Sequence, residues 1–335
     1  MCRHAIGRLM IWAASLMLGV LWLAPQPAAA AKFKVLAVMS YDESYPFEAE
    51  MREGIKAGLP DAEITFFYMN TKKHFEGGLQ KAQEAYALYQ TLLPDGVIAA
   101  DDDAQAMFVA PYLKDKVKMP VMFCGVNAKP EKYGYPAANV SGMLERGHLP
   151  ESLALAKQLV PSIKRFGRIV KDTPMSRGDV ATTRADAESA GFEYVDHPLP
   201  ATIQEALNMA DAFKERCDVA LISTMQGIPD ENGQPMTNQA AIARIAARFG
   251  KATIGSTLSD VQDGTLCAVI QSGQEQGRAA AEMLLKAMNG TPVADIPITQ
   301  NKFGRRIINV DVMNALNIEP RPVVIRNAEL VKTAQ

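Results

Sequence analysis

Gly96-Val97-Ile98-Ala99-Ala100-Asp101-Asp102-Asp103-Ala104 decides how this chain folds. Five apolar residues run without alternation and stop at three carboxylates, after which helical spacing resumes through Leu113. A strand that is apolar on every residue is buried on both faces, and that requires a parallel sheet with helices packed on either side. Outward from this stretch the same unit recurs. Val35–Met39 is a strand and Phe47–Leu59 a helix; Ile64–Met69 is a strand followed by a long helix from about Lys72 to Leu92; Pro120–Cys124 is a fourth strand.

The alternation then begins again. Helices are expected at Leu149–Leu159, Val180–Ala190, Thr202–Arg216 and Asn238–Phe249, and strands at Phe166–Val170, Phe192–Val195, Val219–Ile222 and Thr253–Ile254. Two such series predict an α/β protein of two doubly wound, Rossmann-like lobes with parallel sheets. The first lobe is expected over 32–145 and the second over 146–265. The tail holds a strand at Leu266–Ile270, a helix at Gln274–Met288 ended by Asn289-Gly290, a strand at Ile307–Val310 and a short helix at Val312–Leu316. It has no core of its own, so it must return to the lobes. Residues from about 266 to 290 are assigned to the first lobe and about 291–335 to the second, which makes a multi-strand hinge and a clamshell.

Residues 1–31 read as an export signal. Arg3, His4 and Arg8 form a basic start, Leu9–Ala24 an apolar run, and Ala28–Ala31 a small-residue cleavage region after Pro25 and Pro27. The run is short of the roughly 20 apolar residues that span a bilayer. The mature chain is therefore expected to start near Lys32 and to work in the periplasm. The rest, 48% hydrophobic and 21% charged over the whole chain with a formal charge of −2, lacks the basic face that nucleic acid requires. Cys124, Cys217 and Cys267 would remain, an odd number without a C-x-x-C pair, so neither a zinc site nor a disulfide framework is expected. One bridge between two of them stays open in an oxidising compartment.

Open parallel sheets bind ligands beyond the carboxyl ends of their strands. Those ends carry Ser40-Tyr41-Asp42-Glu43-Ser44-Tyr45, Asp101-Asp102-Asp103 and Gly125-Val126-Asn127 in the first lobe. In the second they carry Lys171-Asp172-Thr173, Ser223-Thr224-Met225-Gln226 and Ser256-Thr257-Leu258-Ser259-Asp260. Polar and aromatic groups converging from two lobes suit a small-molecule cleft. Ser40 or Ser44 could instead cap the first helix, and one of Asp101, Asp102 and Asp103 is expected to cap the helix that follows. No dinucleotide glycine fingerprint, Walker loop or G-x-S-x-G elbow is present, and His74, His148 and His197 lack ligand spacing. Neither a catalytic residue nor a metal or other cofactor is expected.

Several segments resemble a family of bacterial ABC-transporter substrate-binding proteins, the uncharacterised relatives of the tryptophan/tyrosine importer's binding component. They are Val35-Leu36-Ala37-Val38-Met39-Ser40-Tyr41 with Tyr45-Pro46 and Glu53-Gly54-Ile55, then Asp95–Ala104, Pro120–Asn127, Tyr133-Gly134 and Asn139–Met143. Near the end, Asn289-Gly290-Thr291-Pro292, Ala294–Ile298 and Ile308-Asn309 fit as well. The resemblance implies a periplasmic-binding-protein type I clamshell with three interlobe crossings and delivery to a membrane permease and its ATPase. By analogy Ser40, Asp102 and Asn127 would hydrogen-bond the ligand from the first lobe, and Asp172, Thr173 and Gln226 from the second, with Tyr41 stacking. An amino-acid ligand would place its ammonium on a carboxylate such as Asp102 or Asp260 and an aromatic side chain against Tyr41 or Met225; Asp101 lies on the same rim.

The expected function is capture of a small molecule, an amino acid and especially an aromatic one, by a monomeric binding protein. A nucleoside or small sugar would use the same carboxylates and tyrosines equally well. The same fold could also report its closed state to a membrane receptor. An exported enzyme would need a nucleophile with an adjacent base, or cofactor glycines, and neither is found.

Overall fold

The structure is a computed structural model that describes residues 32–319 and 321–334. The export signal expected at 1–31 lies outside the described residues. In the first lobe the chain forms β1 (Phe33–Met39), α1 (Pro46–Gly58), β2 (Ala62–Tyr68), α2 (Gly78–Leu92), β3 (Gly96–Ala100), α3 (Asp101–Ala104), β4 (Val121–Val126) and β5 (Val140–Leu144). A π-helix over Gln105–Leu113 continues α3. The second lobe contains α4 (Leu149–Leu159), β6 (Arg165–Val170), α5 (Pro174–Gly178), α6 (Val180–Ser189), β7 (Glu193–Val195), α7 (Ile203–Arg216), β8 (Val219–Ser223), α8 (Asn238–Phe249), β9 (Ala252–Ile254), α9 (Leu258–Gln262) and β10 (Cys267–Ile270). The tail adds α10 (Gly273–Met288), β11 (Thr299–Gln300), β12 (Arg305–Asn309), α11 (Val310–Ala315), α12 (Pro322–Ile325) and β13 (Ala328–Val331).

Two sheets result, ordered β11-β5-β4-β3-β1-β2 and β13-β12-β10-β9-β8-β6-β7. Every pairing is parallel except β10 with β12. The unbroken apolar runs have the cause inferred from sequence. Leu36 and Val38 join the core on one face of the first sheet, while Val35, Ala37 and Met39 join the core on the other. In the second sheet Val219 and Leu221 face one layer and Ala220 and Ile222 the opposite one. Successive strand side chains point to opposite faces, so burial on both sides demands an apolar residue at each position. Among the described residues, no helix is long and apolar enough to cross a membrane.

The strand order explains where the lobes open. β1 lies between β2 and β3, so the chain leaves it in one direction for β2 and the other for β3. Helices diverge at such a switch point and leave a crevice at the strand ends. The chain then crosses between lobes three times: from β5 to α4, from β10 to α10, and from β11 to β12.

The tail divides differently from expectation. Cys267–Ile270 is a strand of the second sheet, so within 266–290 it is α10 that returns to the first lobe. Thr299–Gln300, expected with the second lobe, pairs with Met143–Leu144 of the first sheet. Glycines decide the docking of α10. A Cβ on Gly277 would lie 2.0 Å from the Met51 carbonyl oxygen, and one on Gly54 2.3 Å from that of Gln274. The two helices thus meet backbone to backbone through Gly54 and Gly58 on α1 and Gly273 and Gly277 on α10.

Candidate functional site

Between the lobes lies a cavity of about 520 Å³. Tyr41, Tyr45, Phe47, Lys72, Asp101, Asn127 and Glu145 line it from the first lobe, and Ser256, Thr257, Leu258 and Ser259 from the second. Ile270, Gln271 and Arg305 close its floor at the crossings, beside Glu50. Arg305 spans the lobes: one terminal nitrogen donates to Glu50 on α1 at 2.5 Å and the other to Glu329 on β13 at 2.6 Å. Asn301, in the third crossing, accepts from the Arg146 N–H at 2.7 Å and contacts His148 Nε2 at 2.7 Å, tying that crossing to the first.

The first-lobe wall is acidic. Asp101 stands where β3 enters α3, with φ at +64°, a left-handed conformation that Asp tolerates better than most residues. Its side chain fits because position 125 is glycine; a Cβ there would sit 2.8 Å from Asp101 Oδ1. Glu48, in the first turn of α1, is fully buried and accepts the Tyr41 backbone N–H at 2.9 Å. The Glu48 and Asp101 carboxyl groups meet at hydrogen-bonding range, so one must carry a proton. Without that proton Glu48 Oε2 and Asp101 Oδ2 are buried with no partner.

Burial pushes both groups above the ordinary carboxylate range; the Glu48 charge and hydrogen bond raise Asp101 further, while the same hydrogen bond offsets part of the rise at Glu48. Glu145, in the first crossing, is pushed up to about 7, chiefly by burial and then by Asp102, against the pull of Arg146 and Asn127. The same lobe also presents an aromatic corner to the cavity. The Tyr41 and Tyr45 rings meet edge to face at 5.5 Å and 88°, and Lys72 Nζ lies 3.6 Å from the Tyr45 centroid and 4.9 Å from that of Tyr41. Ring faces are electron-rich, so this corner attracts cations and ring edges.

Of the residues expected at the site, Tyr41, Asp101 and Asn127 line the cavity. Ser40 lies behind it. It is fully buried, donates to the Ala100 carbonyl at 2.6 Å and accepts the Ala104 N–H at 2.9 Å. The cap of α3 therefore comes from the end of β1, not from Asp101, Asp102 or Asp103. α1 has no side-chain cap from Ser40 or Ser44. Asp102 is a bracket: it accepts from the backbone N–H groups of Asn127 and Ala128 and from the Tyr133 hydroxyl at 2.6 Å.

The second-lobe expectations are placed elsewhere. Asp172 forms a two-pronged pair with Arg177 at 2.6 and 2.8 Å, and Thr173 caps α5. Met225 is fully buried in the core, and Gln226 accepts the Asn238 N–H. Asp260 is 2% exposed and accepts from Ser223, Asn238 and the Ser256 and Thr257 N–H groups, so it has no capacity left for a ligand ammonium. Sheet order accounts for the shift. β6 and β8 sit away from the crossings, whereas β9 and β10 adjoin them, so the ends of β9 and β10 reach the cavity. Glu48 and Glu145 were not expected because neither directly follows a strand legible in sequence, and Lys72 because it reads as the start of the long helix after Ile64–Met69. The Ser256–Ser259 stretch is legible as a strand end, and it lines the cavity in place of Asp260, the residue expected there to meet an ammonium.

Among the described residues no group of three His, Cys, Asp or Glu side chains is arranged to hold a metal ion. Cys124, Cys217 and Cys267 are buried free thiols.

A family model described as ABC transporter substrate binding protein matches residues 34–332. A tyrosine-binding protein of Clostridioides difficile is 24% identical over 185 residues, 55% of this chain and 51% of the relative. The match thus spans about half the length of that curated protein. The ligand-free, open structure of a substrate-binding protein with adhesive properties from Clostridium difficile aligns over 90% of this chain and 100% of its own, with a TM-score of 0.71 at 20% identity. A Streptococcus pneumonia domain solved in complex with L-Trp aligns over 89% and 99%, with a TM-score of 0.52 at 20% identity. At these identities the structures establish a shared fold.

Proposed function

Because this chain belongs to the family of ABC transporter substrate-binding proteins, we propose that it captures an amino acid, an aromatic one in first place, between its lobes and delivers it to an ABC permease. One observation carries the choice of ligand: the carboxyl groups of Asp101 and Glu145 and the rings of Tyr41 and Tyr45 line one interlobe cavity. An ammonium belongs on the carboxylates and an aromatic side chain against the tyrosines and Phe47. The Ser256, Thr257 and Ser259 hydroxyls provide donors for a ligand carboxylate from the other lobe. The tyrosine-binding relative and the L-Trp complex lend support to this assignment.

Binding works through lobe closure. First-lobe groups hold the ligand, and the three crossings let Ser256–Ser259 swing onto it. The closed population rises by no more than the ligand's preference for that state. With the leader-like sequence at 1–31, the site of action is the extracytoplasmic side of the membrane and the working form a monomer. The test is a thermal-shift panel of amino acids, nucleosides and sugars on protein unfolded and refolded to strip any ligand. A true ligand at 100 times its Kd adds about 2.7 kcal/mol of stability. Shifts with L-tyrosine or L-tryptophan support the proposal; shifts confined to sugars or nucleosides refute its ligand class.

A further inference from the structure

We propose that the facing carboxyl groups of Glu48 and Asp101 are a proton-exchange subsite, in which a ligand's protonated amine takes the place of the proton they share. The inference deepens the reading of the cleft as an amino-acid site and rests on it for the choice of probes. Its basis is geometric. Asp101 lines the cavity but is only 4% exposed, and Glu48 behind it is fully buried. Each carries a buried oxygen with no partner other than the opposing carboxyl. Gly125 and the left-handed backbone at Asp101 hold that geometry open. A buried pair of this kind needs either a proton or an external cation, because two ionised carboxylates in contact repel strongly.

The neighbouring charges leave that cation to the ligand. Glu145 and Asp102 face Asp101 with further negative charge, and Asp42 does the same to Glu48. The Cys124 thiol behind Asp101 is held neutral by burial and by these same carboxylates. Lys72 acts on Glu48 from a distance, but its ammonium is seated on the Tyr45 ring. Arg305 is engaged by Glu50 and Glu329. The exchange is balanced: the ammonium enters with its three N–H bonds intact, the carboxyl proton departs to solvent, and both carboxylates then accept from the amine. Burial raises both carboxyls, and the Glu48 charge raises Asp101 further.

The experiment is calorimetric titration of the full chain with L-tyrosine, L-tryptophan, tyramine and 3-(4-hydroxyphenyl)propanoate, in buffers of differing ionisation enthalpy at pH 7 and 8. At pH 8, above the range of Glu145, about one proton should be released per amine bound, and affinity should rise about tenfold from pH 7 to 8. The propanoate, which lacks the amine, should bind about 10- to 100-fold more weakly and release no proton, having lost the charged hydrogen bonds. Glu48→Gln, whose amide supplies a fixed hydrogen to Asp101, should bind L-tyrosine with no proton released, while Glu145→Gln should still release one at pH 8. Should Glu48→Gln fail to fold, the wild-type proton count decides alone.

Tight binding of L-tyrosine without proton release overturns the subsite and leaves the proposed function standing. Tyramine binding as well as L-tyrosine, with a proton released, supports the subsite and moves the ligand class from amino acids to amines. Failure of every amine in the panel to bind overturns the subsite whatever other ligand is found.

Discussion

Replacing Glu145 by glutamine should make the protein more stable at alkaline pH, against the common outcome for a partly buried polar residue. Burial and Asp102 raise this carboxyl from its ordinary 4.5 to about 7. The folded protein therefore holds the proton more tightly than the unfolded chain. The stability this contributes is complete below about pH 4.5 and is lost as pH rises through about 7. With each pKa unit worth about 1.4 kcal/mol, the loss is about 3 kcal/mol. Glutamine keeps the hydrogen bond to Asn127 but cannot ionise. Urea unfolding at pH 5 and pH 8 measures the difference. Glu145→Gln should match the wild type at pH 5 and exceed it by about 3 kcal/mol at pH 8, while binding an ammonium ligand less well. Parallel pH dependence in the two proteins, or a less stable variant at pH 8, would refute the claim that Glu145 sits strained beside other negative charge. Sites that keep unpaired charge for a ligand commonly lower stability in this way.

Four further outcomes follow from the geometry. Gly277→Val should cost at least about 1–3 kcal/mol, since its side chain meets the Met51 backbone, and should lower the melting temperature; Gly178→Ala, with open space around its position, should be near neutral. Asp260→Ala should destabilise by at least about 2 kcal/mol in urea titrations, because buried donors from Ser223 and Asn238 lose their acceptor. Tyr45→Ala should weaken an aromatic ligand about 3- to 10-fold in calorimetry, the usual worth of one ring–ring contact. Cys124, Cys217 and Cys267 are free and buried, so a thiol reagent should label none of these three in the native protein and all three after unfolding, and reduction should leave the melting curve unchanged.

The fold was legible because double burial writes itself into composition: a strand covered on both faces has no polar position until it ends. Val35–Met39 and Gly96–Ala100 carry that signal in full. The same rule placed Tyr41, Asp101 and Asn127 on the cavity. What a carboxylate does once at a strand end depends on donors that local sequence does not reveal. Asp101, Asp102 and Asp260 look alike in sequence, yet Asp102 and Asp260 are saturated by backbone N–H groups and only Asp101 keeps an oxygen unpaired. Met225 failed as a site residue because its chain turns inward after Thr224 adopts a positive φ. The return of α10 had a readable sign, glycines four apart at 54 and 58 and again at 273 and 277, a spacing that lets helix backbones approach closely. Glu145 and Arg305 had none, since their importance comes from lying at crossings whose course only the folded chain defines.

The most direct test of the interlobe acidic wall as the ligand-recognition site is calorimetry of L-tyrosine and L-tryptophan binding at pH 8. Ligand-stripped wild type would be compared with Asp101→Asn, folding of both being checked by circular dichroism. The account predicts one ligand per chain for the wild type and a loss of at least about tenfold in affinity for the variant, the worth of a charged hydrogen bond. Equal affinity in the two proteins would contradict it.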